Sequence, residues 1–197
     1  MAKTEHTYII RIMKGHIFIL FALTITTTAT AGTNPLFAPG TENSIGVFIG
    51  QSTGDGDLGH LINPFDWEIS PMTFFGIQYS QPTTILRLPS RINVEAMQNI
   101  AYDSASGASF GAVGISWDIA IFSWCGFYVG AGLGEYLRDS GDQYVTSRLV
   151  FGERVFIGAK ISDRFHAEIF TMHFSNGDFT ETNHGLNFIG ATLRYSF

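Results

Sequence analysis

Large apolar residues recur at every second position over long stretches of this chain. That is the period of a β-strand, whose side chains point alternately to two faces. Between Ser109 and Ile121, the odd positions Val113, Ile115, Trp117, Ile119 and Ile121 are large and apolar, whereas Ala112, Gly114, Ser116 and Asp118 are small or polar. From Cys125 to Glu135, Phe127, Val129, Ala131 and Leu133 share one face, and Gly126, Tyr128, Gly130, Gly132 and Gly134 the other. Segments of this kind lie near 44–51, 72–81, 91–101, 109–120, 125–136, 147–160, 163–174 and 185–197. Eight strands is the smallest usual size of a closed transmembrane barrel.

Which face meets solvent follows from where the charges sit. Even positions of the last three segments carry Arg148, Arg154, Lys160, His166, Glu168 and Arg194, and the third segment sets Asn93 and Glu95 opposite Ile92 and Val94. Charges share the face with the glycines, so the narrow interior is polar and the exterior greasy, the reverse of a water-soluble barrel. The expected fold is all-β: an eight-stranded antiparallel transmembrane β-barrel whose polar interior is filled by side chains. Arg154, Lys160, Arg194, Glu95, Asp118 and Glu168 then form a salt-bridged core rather than a pore. Glu153 departs from the pattern, falling on the apolar face. A bulge or an interfacial depth would each account for it.

Composition agrees with a membrane barrel. Charged residues are 14% of the chain, with 22 glycines and 18 phenylalanines. The net charge of −6 comes without any block of lysine or arginine, so nothing suggests nucleic acid and no nucleic-acid partner is expected. Near the N-terminus, Arg11 and Lys14 precede an apolar run from Ile17 to Ile25 and the small triplet Ala29-Thr30-Ala31. This reads as a secretory signal peptide over 1–31, with residues 32–197 as a single barrel domain. The apolar run is well short of the roughly 20 residues a spanning helix needs. Cys125 is the single cysteine, so no intrachain disulfide forms.

With both ends of the barrel chain on the periplasmic side, turns near 82–90, 121–124 and 161–163 face inward. Those near 52–71, 102–108, 137–146 and 175–184 face outward, and short inner turns with longer outer loops are the expected asymmetry. "TGDGDLG" in the first outer loop reads as a flexible turn, without the remainder of a calcium loop. Trp67, Trp117 and Trp124 read as interfacial anchors.

Candidate chemistry lies in "MHFSNG". Parity along "RFHAEIFTMHFS" puts Phe165, Ala167, Ile169 and Thr171 on the lipid face and carries His173 and Ser175 with them, at the outer end of the strand. Side chains two apart on one strand face start about 7 Å apart, a distance imidazole and hydroxyl can close for general-base activation. A third group should hold the other imidazole nitrogen. If the last hairpin centres near residue 180, Asn187 lies across from His173, with Asp178 and Glu181 of the loop as rivals. By itself, H-x-S at a strand end also describes ordinary polar residues entering a turn.

The segment "HFSNGDFTETNHGLNFIGATLRYSF" resembles the C-terminal signature of the PagL-type lipid A deacylases, outer-membrane enzymes that hydrolyse an ester-linked acyl chain of lipid A. The likeness rests on His-x-Ser-Asn, on Asn183-x-Gly185 and on the terminal amphipathic strand. It implies Ser175 as nucleophile, His173 as base, and Asn176 with the backbone N–H of Gly177 as the oxyanion hole. Asn187 falls where the best-characterised pattern has a glutamate. Asparagine can accept from the imidazole N–H but brings no charge, which leaves Glu181 as an alternative orienting acid. The resemblance implies a lipopolysaccharide substrate, a serine esterase in the bacterial outer membrane facing the outer leaflet, no metal and no cofactor. A homodimer is left open, and a non-catalytic structural or adhesive barrel is the alternative.

Overall fold

The computed structural model describes residues 42–102, 108–180 and 182–197, so the expected signal peptide over 1–31 lies outside it. Eight strands close into one antiparallel barrel: β1 (Ser44–Gly54), β2 (Met72–Ile85), β3 (Leu88–Ala101), β4 (Phe110–Trp124), β5 (Phe127–Arg138), β6 (Leu149–Lys160), β7 (Phe165–Ser175) and β8 (Leu186–Ser196). Each strand pairs with its sequence neighbour, and β8 pairs back onto β1. Closure leaves no open sheet edge, which an apolar bilayer core could not hydrogen-bond. No helix among the described residues is long and apolar enough to cross a membrane.

Alternation holds along the wall except at two bulges, at Thr53 in β1 and Ile121 in β4. Ile45, Val47, Ile49, Ile77, Val94, Val113, Ile115, Ile157, Ile169 and Leu193 are exposed, while Gln78, Asn93, Glu95, Asp118, Arg154, Glu168 and Arg194 are buried in the lumen. The inward glycines accept the large rings of neighbouring strands. Tyr128 lies against Gly158 and Tyr136 against Gly114, where a Cβ would overlap the ring. Both tyrosine hydroxyls then reach carboxylates, Glu168 at 2.8 Å and Glu95 at 2.9 Å.

The interior has two layers. Towards the long-loop end, Met72, Phe74, Phe110, Phe174, Leu186 and Phe188 form an apolar plug. Below it, Arg91 meets Glu168 with two bonds of 2.5 and 2.9 Å and Asp118 at 2.7 Å; Arg154 reaches Asp118 at 2.7 Å and Glu95 at 3.2 Å; Arg194 reaches Glu168 at 3.1 Å. Three arginines facing three carboxylates neutralise one another, as buried charges must.

Four expectations change at the strand ends. Lys160 is not in the core but sits at the exposed end of β6, paired with Asp163 at 2.9 Å. Arg148 precedes β6 and is exposed, its Nε donating to the carbonyl of Arg138. Both lie where the wall ends, and Arg91 is the arginine that fills the core instead. The expected 82–90 turn is two residues, Leu86-Arg87, because β2 and β3 stay paired from Pro82 and Arg91 to the hairpin tip. Positive φ at both central residues, 52° and 67°, matches the turn that suits strand twist, and Cys125-Gly126 repeats it at 49° and 83°. Trp124 is exposed at this hairpin end, but Trp117 lies midway along β4 and is no rim anchor.

Candidate active site

Strand β7 carries the polar cluster to the barrel's long-loop end. Met172 and Phe174 point inward and are buried, which turns His173 and Ser175 to the outer wall. Register then sets Asn187 of β8 on one side of His173 and Glu153 of β6 on the other. Nδ1 of His173 is 2.8 Å from Oδ1 of Asn187. The other end of that amide is committed, since Nδ2 of Asn187 donates to the carbonyl of Gly56 at 3.3 Å. With Oδ1 as acceptor, the ring proton belongs on Nδ1 and Nε2 keeps its lone pair.

Although His173 is on the outer wall, it is only 5% exposed. The loop after β1 covers it. Asp57 caps a single helical turn, Leu58–Leu61, by accepting from the N–H groups of Gly59 at 2.9 Å and His60 at 3.4 Å. That turn lies against β6, β7 and β8, burying Leu61. A ring nitrogen of His60 bonds the carbonyl of Thr53 at 3.1 Å, and Nε1 of Trp67 donates to the carbonyl of His60 at 2.8 Å. "TGDGDLG", expected as a flexible turn, is therefore the start of a capped and stapled cover, and Trp67 holds it together. Below the cover, Gly185 takes φ +76°, and a Cβ there would overlap both Gly56 O and Cε1 of His173.

Ser175 is half-buried and pairs across with Phe151, whose ring packs on Phe179 with centroids 5.8 Å apart. The following loop is tied by Asn176, which is fully buried. Its Nδ2 donates to Thr180 Oγ1 and to Thr182 O, its Oδ1 accepts from Asp178 N at 2.9 Å, and its N–H donates to Asn183 Oδ1 at 2.9 Å. The amide hydrogens expected in an oxyanion hole are thus engaged within the loop. Asn176 instead shapes the turn that carries Gly177 and Asp178, both left-handed at φ +63° and +62°. Asp178, a rival orienter of His173, accepts from Asn183 Nδ2 at 3.0 Å. Glu181, the other rival, lies outside the described residues.

Alternation marks Glu153 as a charge on the apolar face, and register adds its place beside His173. A signal was available: reflecting position 173 about the turn near 163 gives 153, the same step that located Asn187. Only the reason for a charge on the apolar face was missing.

A family model described as lipid A 3-O-deacylase (PagL) matches residues 45–196, nearly the whole barrel. This chain belongs to the PagL family. Among solved structures, the outer-membrane enzyme PagL aligns with a TM-score of 0.56 at 13% identity, covering 78% of this chain and 99% of that one. The N-terminal β-barrel domain of Pseudomonas aeruginosa OprF gives 0.51 at 9% identity, covering 80% and 100%. Neisserial surface protein A gives 0.50 at 14%, covering 79% and 97%. At these identities the structures show a shared barrel fold alone. No match was found among curated protein sequences.

Proposed function

We propose that this PagL-family barrel removes an ester-linked hydroxyacyl chain from lipid A by a serine–histidine mechanism on its outer wall. The observation that carries the reading is the 2.8 Å contact of His173 Nδ1 with Asn187 Oδ1, on the wall face that also bears Ser175. Nε2 of His173 takes the proton of Ser175 Oγ as that oxygen attacks the ester carbonyl. The N–H of Gly177 meets the developing oxyanion, with Asn176 holding the turn in shape. The imidazolium then protonates the leaving sugar oxygen as the carbonyl–oxygen bond breaks. Water, deprotonated by the same Nε2, attacks the acyl-serine; as its carbonyl–Oγ bond breaks, the imidazolium returns the proton to Ser175 Oγ and the hydroxy fatty acid leaves.

Placement fits such a substrate. An acyl ester lies where acyl chains join the sugar, at the boundary between apolar and polar layers, and the site lies where the apolar wall meets the polar loops. Along the wall below it, Val47, Ile49, Ala167, Ile169, Ala191 and Leu193 line a shallow apolar groove in which the small side chains of Ala167 and Ala191 leave room for an acyl chain.

Mass spectrometry of lipid A from Gram-negative cells tests the reading. Cells expressing the wild type should lose the mass of one hydroxyacyl chain, and cells expressing Ser175→Ala should not. An unchanged profile in both would favour a non-catalytic barrel.

A further inference from the structure

Two acids, Glu135 and Glu153, stand on the outward wall of β5 and β6. Only Glu153 lies in register beside His173, in a row that runs Leu133, Glu153, His173, Asn187 across β5 to β8. Directly paired residues on one sheet face have Cβ atoms roughly 4.5–5.5 Å apart, so the two side chains are neighbours. Glu153 is partly covered, and its Oε2 is buried without a hydrogen-bond partner. A carboxylate on a lipid-facing wall is costly, and an unsatisfied buried oxygen adds to the cost. Leucine or valine would serve the wall better. A residue kept there at a cost to stability calls for a role.

The candidate site lacks one thing. Asn187 fixes the tautomer of His173 but is neutral, so it cannot stabilise the imidazolium that forms when Ser175 gives up its proton. Among the described residues, Asp57 and His60 of the covering turn also act on the charge of His173. The His60 ring bonds Thr53, and Asp57 keeps its charge while it caps the turn but stands exposed on the cover, where water screens it. From β5 the row offers only Leu133, and from β8 only Asn187.

We propose that Glu153 is a positioning residue that supplies the negative charge for His173 from β6, while Asn187 supplies the hydrogen bond from β8. The proposal rests on the serine–histidine reading above. In the acylation step the proton passes from Ser175 Oγ to His173 Nε2, and Glu153 stabilises the resulting cation through space without taking the proton. The proton then leaves with the sugar oxygen. Hydrogen bond and charge, which one carboxylate delivers in other triads, are here divided between the two strands that flank β7.

The test uses the full barrel in detergent micelles with purified lipid A, following released hydroxy fatty acid across pH. Glu153→Gln should lower kcat by about ten- to a hundredfold with KM within about twofold. The acid limb of the kcat/KM profile should move to lower pH by about one unit or more, because a carboxylate within about 4–6 Å favours protonated imidazole. Glu153→Leu, which restores an apolar wall and so favours folding, should show the same two changes. Adding Asn187→Glu to Glu153→Gln should restore both rate and limb. The proposal is overturned if Glu153→Gln and Glu153→Leu keep kcat within about threefold of wild type with an unmoved limb, or if Asn187→Glu fails to rescue. Activity surviving in Ser175→Ala would instead sink the serine–histidine reading on which it rests.

Discussion

Gly185 stands where an added methyl group would collide with both the cover and the base of the site. Its φ of +76° is open to glycine and strained for alanine, by about 1 kcal/mol. The larger effect is steric. A Cβ at 185 would intrude on Cε1 of His173 and on the carbonyl oxygen of Gly56, the acceptor that orients Asn187. Ordinary contact returns only if the imidazole and the cover each retreat by about 1 Å, and a misplacement of that size can cost about a hundredfold in rate. Gly185→Ala is therefore expected to lower kcat on lipid A by about a hundredfold. The barrel itself should remain, because Gly185 precedes β8 and contributes nothing to the wall. Hydroxy fatty acid release in micelles gives the rate, and the shift in gel mobility between heated and unheated samples reports the folded barrel. A variant that folds normally and retains kcat within about threefold of wild type would refute the packing of His173 under Gly185.

Two further outcomes follow from the hydrogen-bond networks. Glu168 accepts from Arg91, Arg194 and Tyr128, so Glu168→Ala leaves buried Arg194 without a carboxylate and Arg91 with Asp118 alone, and should destabilise the barrel by about 3–5 kcal/mol, read as a lower midpoint of urea unfolding in detergent. A midpoint unchanged from wild type would contradict the ionic core. Asn176→Ala removes the three side-chain bonds that hold the loop after Ser175 and should lower kcat by about ten- to a hundredfold while leaving that midpoint unchanged, since loops open locally. Unaltered turnover would show that the turn at Gly177 does not depend on Asn176.

Period-two alternation is a local property, written in neighbouring residues, and it sufficed for the strands, the inverted polarity of wall and lumen, and the outward direction of His173 and Ser175. The turn at 180 even paired His173 with Asn187, because antiparallel register follows once a hairpin's centre is known. Local pattern does not tell where a strand stops, so the even positions of Arg148 and Lys160 do not reveal that both lie past the lumen, nor does the first position of its segment reveal that Arg91 is buried in it. Contacts between distant segments were further out of reach. Asn187 meets Gly56 only because closure brings β1 beside β8, and the cover over His173 exists because the first long loop, capped by Asp57 and stapled by Trp67, folds back onto β6, β7 and β8. Glu153 shows the boundary between the two kinds of information. Its apolar-face position was plain in the sequence as an anomaly, and the barrel's register made it a neighbour of His173.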